Sequence, residues 1–296
     1  MKHIVFYIAF LSVVIVLQGQ NTQNASRKVS PSDRLMPAQV DGDQLVHHIA
    51  YSVSYNFQHN QPTWVYYLLT RQHAETVLPR KDSFKADPMI KDCATPADYK
   101  NTGYDKGHLA PNADMNWDVE VQKECFYMSN MSPQTHAFNS GIWSRMEQQV
   151  RDWAIAYDSI YVVTGPVLTE STVKECLSII RCDADGGCDT SWDCVTHIAT
   201  HKPFSIIYDT KSKKAKQHRV SVPDYYYKVV YCPARQQAIA FLVPHEDKKG
   251  ALIQSYVVNI NTIELVTGID FFPELEDEIE EQIESIACLE CWQWNH

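Results

Sequence analysis

Asp105-Lys106-Gly107-His108-Leu109-Ala110-Pro111, followed downstream by Phe138-Asn139-Ser140-Gly141-Ile142-Trp143 and then Glu147 and Arg151, decides how this chain is read. A His directly after Gly and before an apolar pair suits the end of a strand beside a tight turn. Gly at that point lets backbone or a phosphate approach closely. A lone His is more often structural than catalytic, so the weight falls on the second stretch. At 100° per residue the spacing predicts a helix over Asn139 to Tyr157. Ile142, Met146, Val150, Trp153 and Tyr157 fall on one face, the expected core face. Asn139, Trp143, Glu147 and Arg151 are four apart and form a stripe drifting to the edge of that face. Alone, Glu147 and Arg151 read as an i,i+4 pair worth a few tenths of a kcal/mol. Beside a Gly-His turn, an amide, a carboxylate and a guanidinium in line point to a phosphodiester site.

The order of these motifs resembles the DNA/RNA non-specific endonuclease family, part of the ββα-metal (His-Me finger) nucleases. That family carries Asp-Arg-Gly-His, then Ser-Asn-x-x-Pro-Gln, then Asn-x-x-x-Trp-x-x-x-Glu-x-x-x-Arg. Here they read Asp105 to His108, Ser129 to Gln134 and Asn139 to Arg151. Lys106 stands where the family has Arg, which keeps the charge and loses the planar fork. Pro79-Arg80-Lys81-Asp82-Ser83-Phe84-Lys85-Ala86-Asp87 resembles the family segment that supplies a further active-site Arg, here Arg80. Tyr161 to Pro166 and Val222 to Lys228 also match, so the resemblance runs from about Tyr51 to Ile286. The Cys-rich stretch around Cys176 to His201 reads as an insertion outside the pattern.

The resemblance implies roles. His108 would be the general base, neutral near pH 7. Asn139 would be the one protein ligand of Mg²⁺, which keeps most of its waters; Mn²⁺ would substitute. Glu147 would hold metal-bound waters, Arg80 and Arg151 would neutralise transition-state charge, and Lys106 and Asp105 would meet the substrate. DNA and RNA would both be cut to 5′-phosphate ends. The implied fold is α+β, a central, mostly antiparallel sheet flanked by helices, with a ββα-metal finger from about Tyr104 to Tyr157.

Other elements follow from local pattern. Tyr51 to Asn56 and Trp64 to Thr70 alternate as strands of an early hairpin. Cys125 to Met131 reads as a strand broken by Pro133, and Ile160 to Thr164 as a strand ended by Gly165-Pro166. Tyr225 to Tyr231 and Ala238 to Val243 pair as strands. Thr262 to Thr267 and Pro273 to Ile286 are expected as helices. The last is amphipathic, its acidic run a solvated face.

Lys2 and His3 precede an apolar run from Ile4 to Leu17, too short to span a bilayer and suited to a signal peptide. Residues 1–20 are therefore expected as a signal, 21–44 as a polar linker, and 45–290 as one endonuclease domain with the insertion at about 170–215. The expected location is secreted or periplasmic, off the membrane once the signal is cut, and compatible with a homodimer. Nine cysteines fit an exported protein. The even spacing of Cys176, Cys182, Cys188 and Cys194 favours disulfides over zinc, whose structural sites use tighter knuckles.

With 45% apolar residues the chain can bury a sizeable core. The formal charge of −10 argues against a basic nucleic-acid-coating surface but leaves room for a locally basic cleft. No G-x-S-x-G elbow and no second His at metal spacing around His108 supports a lipase or phosphatase. The alternative that keeps the fold is a catalytically weak secreted nucleic-acid-binding protein. An adhesion or inhibitor module built on the Cys-rich insertion could coexist with either.

Overall fold

The computed structural model describes residues 33–294, except 174–176, 183–187, 194–197, 201–203, 210, 212 and 247. The expected signal, residues 21–32, Cys176 and Cys194 lie outside the described residues.

Seven strands form one antiparallel sheet in the order β1-β2-β3-β6-β13-β14-β15. They are β1 (Gln44–His47), β2 (Tyr51–Asn56), β3 (Gln61–Thr70), β6 (Ser159–Pro166), β13 (Tyr225–Cys232), β14 (Gln237–Pro244) and β15 (Val257–Val258). The central strands are rich in Val and Tyr, residues that fit a pleated, buried surface. They are covered on both faces, and side-chain alternation sorts them into two cores. Val65, Tyr67, Val162, Tyr226 and Val230 face one side, with the long helix. Trp64, Tyr66, Val163, Tyr227 and Val229 face the other. That second side is closed by α6 (Ile260–Thr267) and α7 (Asp277–Ser285) through Ile263, Val266 and Ile283. The architecture is α+β, as expected.

On the first side lie α1 (Arg71–Glu75), the two-stranded ribbon of β4 (Tyr104–His108) and β5 (Met131–Thr135), and between them α2 (Asn112–Met115) and α3 (Val119–Cys125). α4 (His136–Phe138) leads through a π turn at Asn139–Trp143 into α5 (Ser144–Tyr157), completing β-β-α. Cys125 to Met131 is not a strand: it is the end of α3, then a 3-10 turn at Met128–Asn130. The strand starts at Met131 and runs through Pro133, which a two-stranded ribbon tolerates because each strand has a free edge. Gly165 and Pro166 likewise end inside β6 rather than stopping it.

The insertion contributes three further antiparallel pairs: β7 (Ser171–Val173) with β10 (Ile198–Thr200), β8 (Leu177–Cys182) with β9 (Cys188–Asp193), and β11 (Phe204–Asp209) with β12 (Lys214–Val222). In the β8–β9 register Cys182 stands opposite Cys188.

Residues on both sides of 45–290 pack against it. Leu35 is buried in the second core, Met36 and Val40 pack against it, and Ala38 N–H donates to the Asp270 carbonyl at 2.8 Å. At the other end the chain packs beyond residue 290. A Cys288–Cys291 disulfide closes a tight turn there. The Gln293 carbonyl then accepts from Gln149 Nε2 at 3.1 Å and Trp153 Nε1 at 2.5 Å, seating the tail on the back of α5. Cys93, Cys125 and Cys232 are buried free thiols. No helix among the described residues is long and apolar enough to cross a membrane.

Candidate active site

The ribbon is pinned by the Ser-Asn-x-x-Pro-Gln stretch. Asn130 Oδ1 accepts from the Ala110 N–H at 2.9 Å, while its Nδ2 donates to the carbonyls of Ala110 and Cys125, each at 2.8 Å. The chain leaving His108 is thus locked to the start of β5. Ser132 Oγ donates to Gln61 Oε1 at 2.6 Å and meets the Tyr226 hydroxyl at 2.8 Å, fastening β5 to the sheet. These polar residues are structural, and their satisfied bonds explain why a buried ribbon can carry them.

His108 closes β4, paired with Met131. Its ring lies 5.0 Å from Phe126, edge to face, and 5.6 Å from Phe84. The two phenyl rings also meet each other edge to face at 4.9 Å, and a cation lies over each. The Arg80 guanidinium sits 5.3 Å over Phe126, and Lys106 Nζ sits 4.7 Å over Phe84. Such stacking is favourable because the ring face is electron-rich. His108 Nε2 is buried without a hydrogen-bond partner. Burial, with Arg80 and Lys106 alongside, pushes the imidazole pKa down to about 3, so His108 is neutral.

Gly107 is required by contact rather than by backbone conformation. A Cβ there would lie 2.2 Å from Gln134 Oε1 and 2.3 Å from its Cδ. The Gln134 amide rests directly on Gly107, fully buried, with neither its oxygen nor its nitrogen partnered.

Asp105 contacts the start of the helical arm. Its Oδ2 accepts from Asn139 Nδ2 at 3.1 Å and meets His136 Nδ1 at 2.9 Å. It therefore orients Asn139. With the amide nitrogen committed to Asp105, Asn139 turns its oxygen away as a free neutral acceptor.

The helix stripe is bent by the π turn. Gly141 takes φ −99° and ψ −110°, outside helical values. The wider turn breaks the four-residue phase that the sequence suggested. Trp143 is fully buried, and its Nε1 donates to the His108 carbonyl at 3.2 Å. Arg151 does not pair with Glu147. Its Nη1 donates to Asp114 Oδ1 at 2.9 Å and its Nη2 to Gln148 Oε1 at 3.0 Å. Glu147 belongs to one electrostatic cluster with Lys228, Asp114, Arg151 and Arg80; burial pushes its carboxyl up and the three cations oppose this.

The structure thus gathers His108, Arg80 and Lys106 around Phe84 and Phe126, sets Glu147 and Arg151 in a charge cluster that Arg80 also reaches, and joins Asn139 to Asp105 of β4. Oxygen donors that fit a hard divalent cation are present: the Asn139 carbonyl oxygen and the unpartnered Gln134 amide. Among the described residues no three His, Cys, Asp or Glu side chains gather to cage a metal. The donor set suits a cation that keeps most of its own water.

A model of the DNA/RNA non-specific endonuclease family matches residues 34–278. The chain belongs to this family. Nuclease EXOG, mitochondrial, of Xenopus laevis is 28% identical over 247 residues, 79% of this chain and 60% of that protein. Endonuclease G, mitochondrial, of Homo sapiens is 28% identical over 186 residues, 62% of this chain and 52% of that protein. The chain thus spans little more than half the length of these two relatives. Nuclease C1 of Cunninghamella echinulata var. echinulata is 27% identical over 238 residues, 77% of this chain and 82% of that protein. A solved structure of an EndoG/EndoGI complex superposes with a TM-score of 0.62 at 24% identity, over 83% of this chain and 90% of that one, a likeness of fold.

Asp114, Lys228, Phe84 and Phe126 stand beside these residues and were not singled out from the sequence. Asp114 lies one turn beyond the motif, in α2, and only the fold brings it to Arg151. Lys228 offered a signal: a lysine inside Tyr225-Tyr226-Tyr227-Lys228-Val229-Val230, where a central strand should be apolar.

Proposed function

We propose that this family member is a divalent-metal-dependent endonuclease that hydrolyses phosphodiester bonds of both DNA and RNA, leaving 5′-phosphate and 3′-hydroxyl ends. The observation that carries the reading is the neutral His108 packed against Phe84 and Phe126, with Arg80 over the Phe126 ring and Lys106 over the Phe84 ring.

A phosphodiester anion is drawn to Arg80 and Lys106, and phosphate contacts of this kind position a chain without reading its bases. Binding the anion offsets the two cations that help depress His108, so the imidazole gains basicity when substrate arrives. His108 then takes a proton from water as the water oxygen bonds to phosphorus and the bond to the 3′-oxygen breaks. Arg80 and Arg151 stabilise charge building on the phosphoryl oxygens. Asn139, oriented by Asp105, would hold the cation through its amide oxygen, and Glu147 would hold waters of that cation. When bound, Mg²⁺ (or Mn²⁺) supplies positive charge for the phosphate and the leaving oxygen. None of these residues needs a ribose 2′-hydroxyl, so DNA is a substrate.

The Ile4–Leu17 run and the Cys288–Cys291 disulfide both support export to an oxidising compartment. End-group analysis of one sequence digested as DNA and as RNA tests the chemistry. Both should yield 5′-phosphates, and 2′,3′-cyclic phosphates or strict RNA dependence would refute it.

A further inference from the structure

Lys228 occupies a place where a folded core tolerates lysine poorly. It sits in the middle of β13, on the face shared with Tyr226 and Val230, and is wholly buried. Its Nζ donates to Thr164 Oγ1 at 3.1 Å, the residue directly opposite on β6. The Thr164 hydroxyl passes its own proton to the Tyr227 carbonyl at 3.0 Å, so its lone pairs face the ammonium. Nζ also lies 4.6 Å from the centre of the Trp143 ring, whose Nε1 holds the His108 carbonyl.

A buried ammonium is sustained only by compensating charge. The groups that face it come from each element packed on this side of the sheet: Asp114 from α2, Glu147 and Arg151 from α5. Tyr67 of β3 closes the group, its hydroxyl donating to Asp114 Oδ2 at 2.8 Å. Two carboxylates and two cations thus form a buried group beneath the site, and Arg80 reaches Glu147 as a third, weaker positive charge. Arg151 is spoken for by Asp114. The remaining carboxylate, Glu147, is matched by Lys228.

We propose that Lys228 is a positioning residue of the active site: its buried ammonium supports Trp143 from the sheet side and balances the carboxylates of Asp114 and Glu147. It touches no substrate and acts through Trp143 on His108 and through charge on Glu147. The inference rests on the nuclease reading above for its consequence in catalysis, though not for the charge balance itself.

The test uses the full-length exported protein as Lys228→Met, Lys228→Gln and the double variant Asp114→Asn/Lys228→Met. Two readouts are taken: kcat and KM on a duplex oligonucleotide with Mg²⁺ from pH 5 to 9, and the carbon-13 titration of the Glu147 carboxyl in metal-free protein, assigned with Glu147→Gln. Removing a neighbouring positive charge makes a carboxylate hold its proton more tightly. The acid limb of activity and the Glu147 midpoint should therefore both rise, by about one pH unit. kcat should fall by roughly tenfold or more with KM changed by less than about threefold, the mark of a residue that acts on the transition state and not on substrate binding. The double variant, with one charge of each sign removed, should bring the midpoint back and recover part of kcat. A lower Tm with an unmoved midpoint and acid limb would make Lys228 merely structural and overturn the proposal, as would a raised KM at unchanged kcat. If the wild type cleaves nothing, the nuclease reading fails by itself, and the Glu147 titration still decides the role of Lys228. If neither neutral variant folds, Asp114→Asn decides: it leaves positive charge in excess, so the Glu147 midpoint must fall, and a static midpoint refutes the balance.

Discussion

Trp143 Nε1 donates a hydrogen bond to the backbone carbonyl of His108 across 3.2 Å, tying the π turn that opens α5 to the last residue of β4. The helix carrying Glu147 and Arg151 is thereby held in register with the proposed base. Trp143→Phe keeps most of the buried ring and removes the donor, leaving a buried carbonyl unpaired at a cost of about 1–3 kcal/mol. Displacements well under an ångström matter to proton transfer. The expected result is a kcat lowered roughly tenfold at little-changed KM, with a modest loss of Tm by calorimetry. Wild-type kcat in this variant would mean that the base does not depend on the helix.

The burial of His108 has a consequence for stability against pH. Its folded pKa is about 3, below the ordinary histidine value of 6.5. Between those values the unfolded chain binds a proton that the folded protein refuses, so this group's contribution to stability is present above pH 6.5 and is lost as pH falls toward 3. His108→Ala lacks that loss. Urea unfolding from pH 7 to pH 4 should show wild type losing more stability than the variant. Parallel curves would place a protonated, accessible imidazole in the folded state.

Asp105 accepts from Asn139 Nδ2 at 3.1 Å and so sets the direction of the Asn139 oxygen. Asp105→Ala frees the amide to rotate. Groups that orient a metal ligand are typically worth 10–100-fold in metal affinity. The Mg²⁺ concentration for half-maximal cleavage should rise by about that factor, and excess Mg²⁺ should restore much of the rate. The same titration on Asn139→Ala should show a larger shift, with weaker rescue. Unchanged Mg²⁺ dependence in both would remove Asn139 from the metal site.

The strands with strong local pattern were legible in the sequence. Tyr51, Val53 and Tyr55 enter one core, and Tyr225 to Tyr231 alternate between two, so alternation survives translation into structure. His108, Asn139 and Glu147 were legible because their motifs lie in order along the chain. The remainder depended on contacts between distant segments. Pro133 looked like a strand breaker, but a ribbon edge accommodates it. The Gly141 turn interrupts the helix on which a wheel at constant 100° per residue set Asn139 to Arg151 as one stripe. The sequence showed Arg151 beside Glu147 but not its ion pair with Asp114, which is fully buried and far off in sequence. Leu35 and Gln293 looked like tail residues because their partners, the second core and α5, are far off in sequence.

The most direct test is cleavage of a supercoiled plasmid and of a defined RNA by purified wild-type protein and by His108→Ala. Both proteins are assayed with Mg²⁺ and with a chelator, their folds matched by circular dichroism. The account predicts that wild type with Mg²⁺ cuts both polymers, that the chelator stops it, and that His108→Ala loses about 10²–10⁴-fold of the rate while remaining folded. A folded His108→Ala variant that cuts at the wild-type rate would contradict it.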